Sequence, residues 1–150
     1  MRLLFAPALL FALSLASCGE SETDAYRTAF RPVNLEIVTT GRDVEVAIRT
    51  AGAMKNNAEV AVAFARLTDD AARIAGSLVR ITAPSEFTKD HRSLIRGLRQ
   101  EAGHLHRISR AAIDGDVRAA QSATADAAAT AGAIRTPRSR IVSRLGLSVR

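Results

Sequence analysis

The sequence predicts an all-α protein, an antiparallel four-helix bundle of up-down-up-down topology followed by a short C-terminal helix. Two apolar seams with four-three spacing, over residues 60–81 and 87–112, are typical of helices that pack lengthwise. Alanine is abundant, tryptophan is absent and tyrosine occurs once, which favours closely packed helices over a sandwich or barrel. Glycine, proline, asparagine and aspartate fall between the seams, where short turns would reverse the chain.

The first helix is predicted between residues 25 and 50. Its apolar stripe consists of Phe30, Val33, Ile37, Val44, Ile48 and Ala51. Pro32 either kinks this helix or lies in its first turn, and the sequence leaves both alternatives open. The turn that follows covers residues 52–57, where Asn56 or Asn57 is expected to cap the second helix.

The second helix has the most regular seam. Its apolar positions are Val60, Phe64, Leu67, Ala71, Ile74, Leu78 and Ile81. Pro84 is expected to end this helix, and Ser85 to cap the third, with Glu86 and Asp90 in the first turn. Glu101 occupies one position of the third helix's seam. The apolar face of that helix is Phe87, His91, Leu94, Leu98, Leu105, Ile108 and Ala112.

An Asp-Gly-Asp turn precedes the fourth helix. Gly115 is expected in the left-handed conformation that ends a helix, and Asp116 is expected to cap the next one. The fourth seam is rich in alanine and consists of Val117, Ala120, Thr124, Ala127, Ala128, Ala131 and Ile134. Thr136 and Pro137 are predicted to break this helix and to begin a short last helix over residues 138–145.

The N-terminus has the features of an export signal. Arg2 precedes an apolar run, residues 3–15, which is shorter than the roughly 20 residues that a membrane-spanning helix needs. Small residues then lead to Cys18, the sole cysteine of the chain. The stretch Leu15-Ala16-Ser17-Cys18 resembles the lipobox of bacterial lipoproteins.

The lipobox resemblance implies cleavage before Cys18 and a diacylglyceryl group on its thiol, so that the chain is anchored to a membrane. It divides the chain into a signal peptide (1–17), a lipidated tether (18–24) and a helical domain (25–150). In enterobacterial lipoproteins an aspartate after the cysteine favours the inner membrane, so Gly19 favours the outer one. We therefore expect the protein on the extracytoplasmic, periplasmic side of a membrane.

The helical part also resembles a loose group of small, uncharacterised bacterial lipoproteins. The shared features are an Ile-x-x-Pro stop, a histidine seven residues later, a leucine seam and a Leu-Gly pair near the C-terminus. In this chain they are Ile81, Pro84, His91, Leu94, Leu98, Leu145 and Gly146. The resemblance implies a helical bundle and carries no activity. Some members end in a cysteine, which this chain does not.

Candidate metal ligands lie on the third helix. Glu101 and His104 have the Glu-x-x-His spacing of di-iron bundles, but the chain has no second such pair. His91 lies on the apolar seam, where a buried, hydrogen-bonded histidine is more common than a ligand. Pairing of the third and fourth helices about their turn would place His104 level with Asp126, as a structural contact or none.

Haem is the other cofactor that such bundles hold. The chain has no Cys-x-x-Cys-His motif, and the predicted register places Met54 away from His104 and His106. No serine has a histidine and an aspartate arranged beside it, and no glycine-rich phosphate loop is present. We therefore expect no enzyme activity and no cofactor. The alternative is a cofactor- or metal-binding bundle that uses His91, His104 and Glu101.

The chain has a net charge of +6, and nearly all of its basic residues are arginine. No aromatic residues alternate with them to stack on bases, which together with the export signal argues against nucleic acid. Arg138, Arg140 and Arg144 follow one another without an intervening acid. We expect them to contact anionic lipid or an acidic partner, and the alternative is a solvated tail.

The predicted function is that of a lipid-anchored, non-enzymatic binding or scaffold module of the cell envelope. Its partner would be an envelope protein or an acidic polymer, besides the membrane that holds the lipid on Cys18. Two other arrangements stay open. One is a bundle with a ligand cavity beside the alanines of the fourth helix, and the other is a dimer of helical hairpins.

Overall fold

A computed structural model describes residues 21–54 and 56–147, which fold into four long helices. These are α1 (Glu22–Thr50), α2 (Asn57–Val79), α3 (Thr88–Asp114) and α4 (Val117–Arg144), with a short 3-10 helix, Ala51–Ala53, after α1. No strand occurs in these residues, so the predicted all-α class is confirmed. No helix among them is long and apolar enough to cross a membrane. The predicted signal peptide and Cys18 lie outside the described residues.

One apolar core lies beside the first turns of α1. It contains buried residues of all four helices: Tyr26, Phe30, Val33, Ile37, Ile74, Ala75, Leu78, Phe87, Leu94, Leu98, Ile141, Val142 and Leu145. The Nε of Arg27 donates a 2.9 Å hydrogen bond to the Leu145 carbonyl, which joins the start of α1 to the end of α4. We call this part of the protein the Ser21 half. It comprises residues 21–37, 74–98 and 134–147.

A second core fills the opposite half. Its buried residues are Val44, Ala47, Phe64, Leu67, Ala71, Ala102, Leu105, Ile108 and Ala123. The Ser109 hydroxyl donates to the Ala61 carbonyl at 2.8 Å and so joins α3 to α2. Arg107 pairs with Asp126 at 2.6 Å and joins α3 to α4. We call this part the Asn57 half, which comprises residues 38–54, 56–73, 99–114 and 116–133.

Polar side chains cap the starts of three of the four helices. Asn56 accepts a 3.0 Å hydrogen bond from the Glu59 N–H, and Asp116 accepts one of 2.9 Å from the Ala119 N–H. Gly115 has a φ of 68°, the left-handed conformation that was predicted for this turn. The helix α1 begins at Glu22, three residues earlier than predicted, because the Ser21 hydroxyl caps it. Acidic residues in the first turn also favour this earlier start, since they offset the helix dipole. Residues 22–24 are therefore helical rather than part of the tether.

Prediction of the α3 start was wrong in detail. Ser85 does not cap this helix, which begins at Thr88 after a turn in which the N–H groups of Phe87 and Thr88 both donate to the Pro84 carbonyl. Phe87 is buried, and its ring lies 5.1 Å from the ring of Tyr26. Because the Phe87 ring packs in the core, the turn that contains Phe87 is held in place, and α3 begins at the next residue, Thr88.

The predicted break at Thr136 and Pro137 is also wrong, since α4 continues to Arg144 without a separate last helix. Pro137 has no N–H to donate to the Ala133 carbonyl, whose oxygen instead lies close to Gly97 of α3. Burial of Ile141, Val142 and Leu145 favours continuation of the helix beyond the proline. Pro32 likewise lies inside α1 and does not begin it.

The predicted seams of α2 and α3 account for most of the buried apolar residues of those two helices, whereas the predicted seam of α4 does so less well for its own helix. Glu101 and every apolar-face residue predicted for α3 are buried. Val117, which the α4 seam placed in the core, is 68% exposed because it is the first residue of its helix and lies at the chain reversal. Ile134 is partly buried and packs against the core of the Ser21 half.

Candidate functional site

The three arginines singled out in the sequence all contact other parts of the protein. The Nε of Arg138 donates to Asn34 of α1 at 2.8 Å, and partial burial of this guanidinium lowers its pKa. Arg140 donates to Asp90 at 3.3 Å. Arg144 donates to the Glu86 carbonyl at 3.0 Å, and its guanidinium lies 3.9 Å from the Asp90 carboxylate. They are therefore anchored side chains of α4 rather than part of a solvated tail.

Asp90 is the buried acid of this site. It is 6% exposed, and each of its carboxylate oxygens faces one of the guanidiniums of Arg140 and Arg144. The charge of Arg144 also acts on the Glu86 carboxylate, so two acids accompany these two arginines. Both guanidinium side chains remain more than half exposed, at 57% and 54%, and their outer N–H groups face solvent.

A buried hydrogen-bond chain lies next to this cluster. The Leu78 carbonyl can only accept, so His91 donates to it through Nε2 at 3.0 Å. The Nδ1 of His91 then accepts from the Tyr26 hydroxyl at 2.9 Å. Burial lowers the pKa of His91, and burial together with the charge of Asp90 raises the pKa of Tyr26. The histidine is thus a neutral connector between α1, α2 and α3, with both ring nitrogens occupied.

Glu101 and His104 do not meet in one site. Glu101 is 8% exposed, its Oε2 atom has no hydrogen-bond partner among the described residues, and burial raises its pKa to about 7. His104 is half-buried at the surface, where its Nδ1 accepts from Arg107 at 2.7 Å. Arg107 also donates to Asp126, so it bridges the histidine and the aspartate that the predicted register placed level. In the described part of the chain, no group of three or more His, Cys, Asp or Glu is placed to hold a metal ion.

Charge is distributed unevenly between the two halves. The Ser21 half has ten Lys and Arg residues against five Asp and Glu, whereas the Asn57 half has eight against nine. Much of the excess comes from α4, whose last turns contribute four arginines and no acid. The positive end of the protein is thus the end at which the described chain begins, at Ser21.

Sequence reasoning missed the partners of these arginines, Asn34 and Asp90. The register argument that set His104 level with Asp126 also sets Asp90 level with Arg140, since both pairs are equally spaced about the Asp-Gly-Asp turn. Applying it to every charged residue of α3 would have found the contact. No such signal exists for Asn34, because α1 and α4 are distant in sequence.

Comparison of the chain with protein-family models, with curated proteins and with solved structures gave no match.

Proposed function

We propose that this protein is a lipid-anchored lipoprotein of the cell envelope that acts as a non-enzymatic binding or scaffold module. In this proposal residues 1–17 are a cleaved signal peptide and Cys18 carries the lipid. The module lies on the extracytoplasmic side of a membrane, with the outer membrane favoured by Gly19. The observation that carries the proposal is that the lipobox leads directly into the positively charged half of the protein.

The short distance along the chain from Cys18 to Ser21 supports this arrangement. Three residues of extended chain reach about 11 Å at most, so a lipid on Cys18 would hold the Ser21 half close to the head groups. A lysine or arginine near an anionic membrane surface contributes about 1 kcal/mol. The excess of basic over acidic residues in the Ser21 half would therefore add to the anchoring by the lipid.

Contacts between helices support the up-down-up-down antiparallel topology that belongs to this proposal. Near the start of α2 Ala61 contacts Ser109, and near its end Leu78 contacts His91, so residue numbers fall along α3 as they rise along α2. The contacts Arg107–Asp126 and Asp90–Arg140 relate α3 to α4 in the same way. Arg73 of α2 pairs with Glu36 of α1 at 2.6 Å, and each residue lies several helical turns away from the connection between these two helices, as antiparallel packing requires.

Membrane association tests the role of the positive half. Arg31 and Arg135 are exposed, and no hydrogen bond or ion pair involves them among the described residues. Arg31→Gln with Arg135→Gln therefore removes charge without leaving Asp90 unpaired. We expect this variant to bind vesicles containing phosphatidylglycerol about 30-fold more weakly, at about 1 kcal/mol for each arginine. The matched control is Arg42→Gln with Arg118→Gln in the Asn57 half. Equal weakening by both pairs would contradict the proposed orientation.

The partner is sought by crosslinking in native membranes, followed by affinity capture and mass spectrometry. The wild-type protein is compared with Cys18→Ala, which would be exported without an anchor. A partner recovered only with the wild type supports a membrane-tethered scaffold. Equal recovery with both proteins, or equal amounts of both in the membrane fraction, would contradict the role assigned to the lipid.

A further inference from the structure

A row of basic side chains runs along the outer face of α3. Its positions follow one another at three- or four-residue spacing, so they share one side of the helix. The side chains of this row, which we call the α3 basic row, are Lys89, Arg92, Arg96, Arg99, His106 and Arg110. All six are exposed, and the position between Arg99 and His106 is a glycine, Gly103. Asp114, four residues beyond Arg110, continues this line as an exposed acid at the end of α3.

The row is not neutralised by other side chains. Within the described residues no ion pair reaches it, and its one hydrogen bond joins Arg96 to the uncharged Ser93 hydroxyl at 3.1 Å. Of the other two acids of α3, Asp90 faces the arginines of α4 and Glu101 is buried. The guanidiniums of the row are therefore free to bind an anion from outside.

The shape of the row is a single line rather than a patch. From Arg92 to Arg110 it covers about 27 Å along the helix axis, at 1.5 Å per residue. On its α4 side, Arg107 is already paired with Asp126. On the α2 side of the row, Ala61 contacts α3. Ala65 and Ala72 continue the same face of α2, and both are exposed and uncharged. Asp69, an exposed acid, lies between these two alanines in sequence. Along residues 92–110, the positive charge of α3 that is not in an ion pair thus lies in one file of side chains.

We infer that the α3 basic row binds a linear acidic polymer, through phosphate, carboxylate or sulfate groups spaced along that polymer. Guanidinium groups pair with such anions through two parallel hydrogen bonds, and four arginines of the row can do so in sequence. A single file about 27 Å long matches an extended chain better than a flat membrane surface. The row contains no aromatic side chain on which bases could stack, which disfavours single-stranded nucleic acid. The inference deepens the proposed function, on which it rests for the compartment in which the polymer is met.

Binding of the detergent-solubilised full chain to polyphosphate and to polygalacturonate, measured by calorimetry at low salt, tests the inference. The test variant is Arg92→Gln, Arg96→Gln, Arg99→Gln. The control, Arg42→Gln, Arg66→Gln, Arg118→Gln, removes the same charge from exposed arginines outside the row, which are likewise without ion pairs in the described residues. We expect the test variant to bind about 150-fold more weakly, at about 1 kcal/mol for each arginine, and the control to bind within about threefold of wild type.

The two polymers distinguish a phosphate from a carboxylate source of the same anionic chemistry, and binding of either one supports the inference. Equal loss of affinity in the test and control variants would overturn it, because net charge alone would then explain binding. A loss of affinity for phosphatidylglycerol vesicles in the test variant as large as its loss for the polymers would also overturn it, in favour of a membrane surface. Lipidation of Cys18 is read separately by mass spectrometry, so failure of the proposed anchor and failure of the row are distinguishable.

Discussion

Glu101 gives the sharpest prediction about stability. Its buried carboxyl group lies on α3 between Leu98 of one core and Ala102 of the other, with one oxygen unpartnered among the described residues. Burial raises its pKa from the usual 4.5 to about 7. The folded chain therefore binds the proton more tightly than the unfolded chain does. The resulting stability is complete below pH 4.5 and is lost as the pH rises from 4.5 to 7.

The size of this effect follows from the pKa shift. One pKa unit corresponds to about 1.4 kcal/mol, so Glu101 makes the free energy of unfolding about 3 kcal/mol smaller at pH 8 than at pH 4. Glu101→Gln keeps the size of the side chain but removes the titration. We expect the stability of this variant relative to wild type to increase by about 3 kcal/mol between pH 4 and pH 8. Urea unfolding followed by circular dichroism measures it at each pH.

Glu45→Gln is the matched control, because the Glu45 side chain is 67% exposed on α1. Its stability relative to wild type should change by less than about 0.5 kcal/mol over the same pH range. The use of differences from wild type cancels the titration of groups that all three proteins share. A constant difference between Glu101→Gln and wild type from pH 4 to pH 8 would refute the buried, uncompensated state of this carboxyl group.

Four further substitutions test the packing, a buried hydrogen bond and a helix cap. Gly97→Ala should destabilise the protein by about 1–3 kcal/mol, because its Cβ would lie 2.9 Å from a side-chain atom of α4. Gly103→Ala, where a Cβ meets nothing within 4 Å, should stabilise α3 by about 0.5–1 kcal/mol, and thermal unfolding compares the two. Tyr26→Phe should cost about 1–3 kcal/mol in urea unfolding, because it leaves the buried Nδ1 of His91 without a donor. Asp116→Ala should cost about 1 kcal/mol through loss of the α4 cap, and an unchanged melting temperature would contradict that role.

The helical class and the faces of α2 and α3 could be predicted because their apolar residues recur at helical spacing over many turns. Caps at Asn56 and Asp116 were predictable for a related reason, since the side chain that caps a helix is adjacent to it in sequence. The continuity of α4 through Pro137 was not predictable in this way. It depends on Gly97 and on burial of the last turn, both of which come from packing against other helices.

The candidate sites were predictable only in part. Arg138, Arg140 and Arg144 stood out in the sequence as basic residues without acids, but their partners Asn34 and Asp90 come from other helices. The α3 basic row was present in the sequence at regular spacing. It was missed because the predicted seam of α3 describes only the apolar face of this helix, and the row lies on the opposite, exposed face. A search for charge periodicity on exposed faces would have found it.

The central claim, anchoring through lipid on Cys18, is tested most directly by mass spectrometry of the N-terminal peptide of protein recovered from membranes. The account predicts that this peptide begins at Cys18 and has the added mass of a diacylglyceryl group. A peptide in which residues 1–17 remain attached, or one that begins at an unmodified Cys18, would contradict the claim.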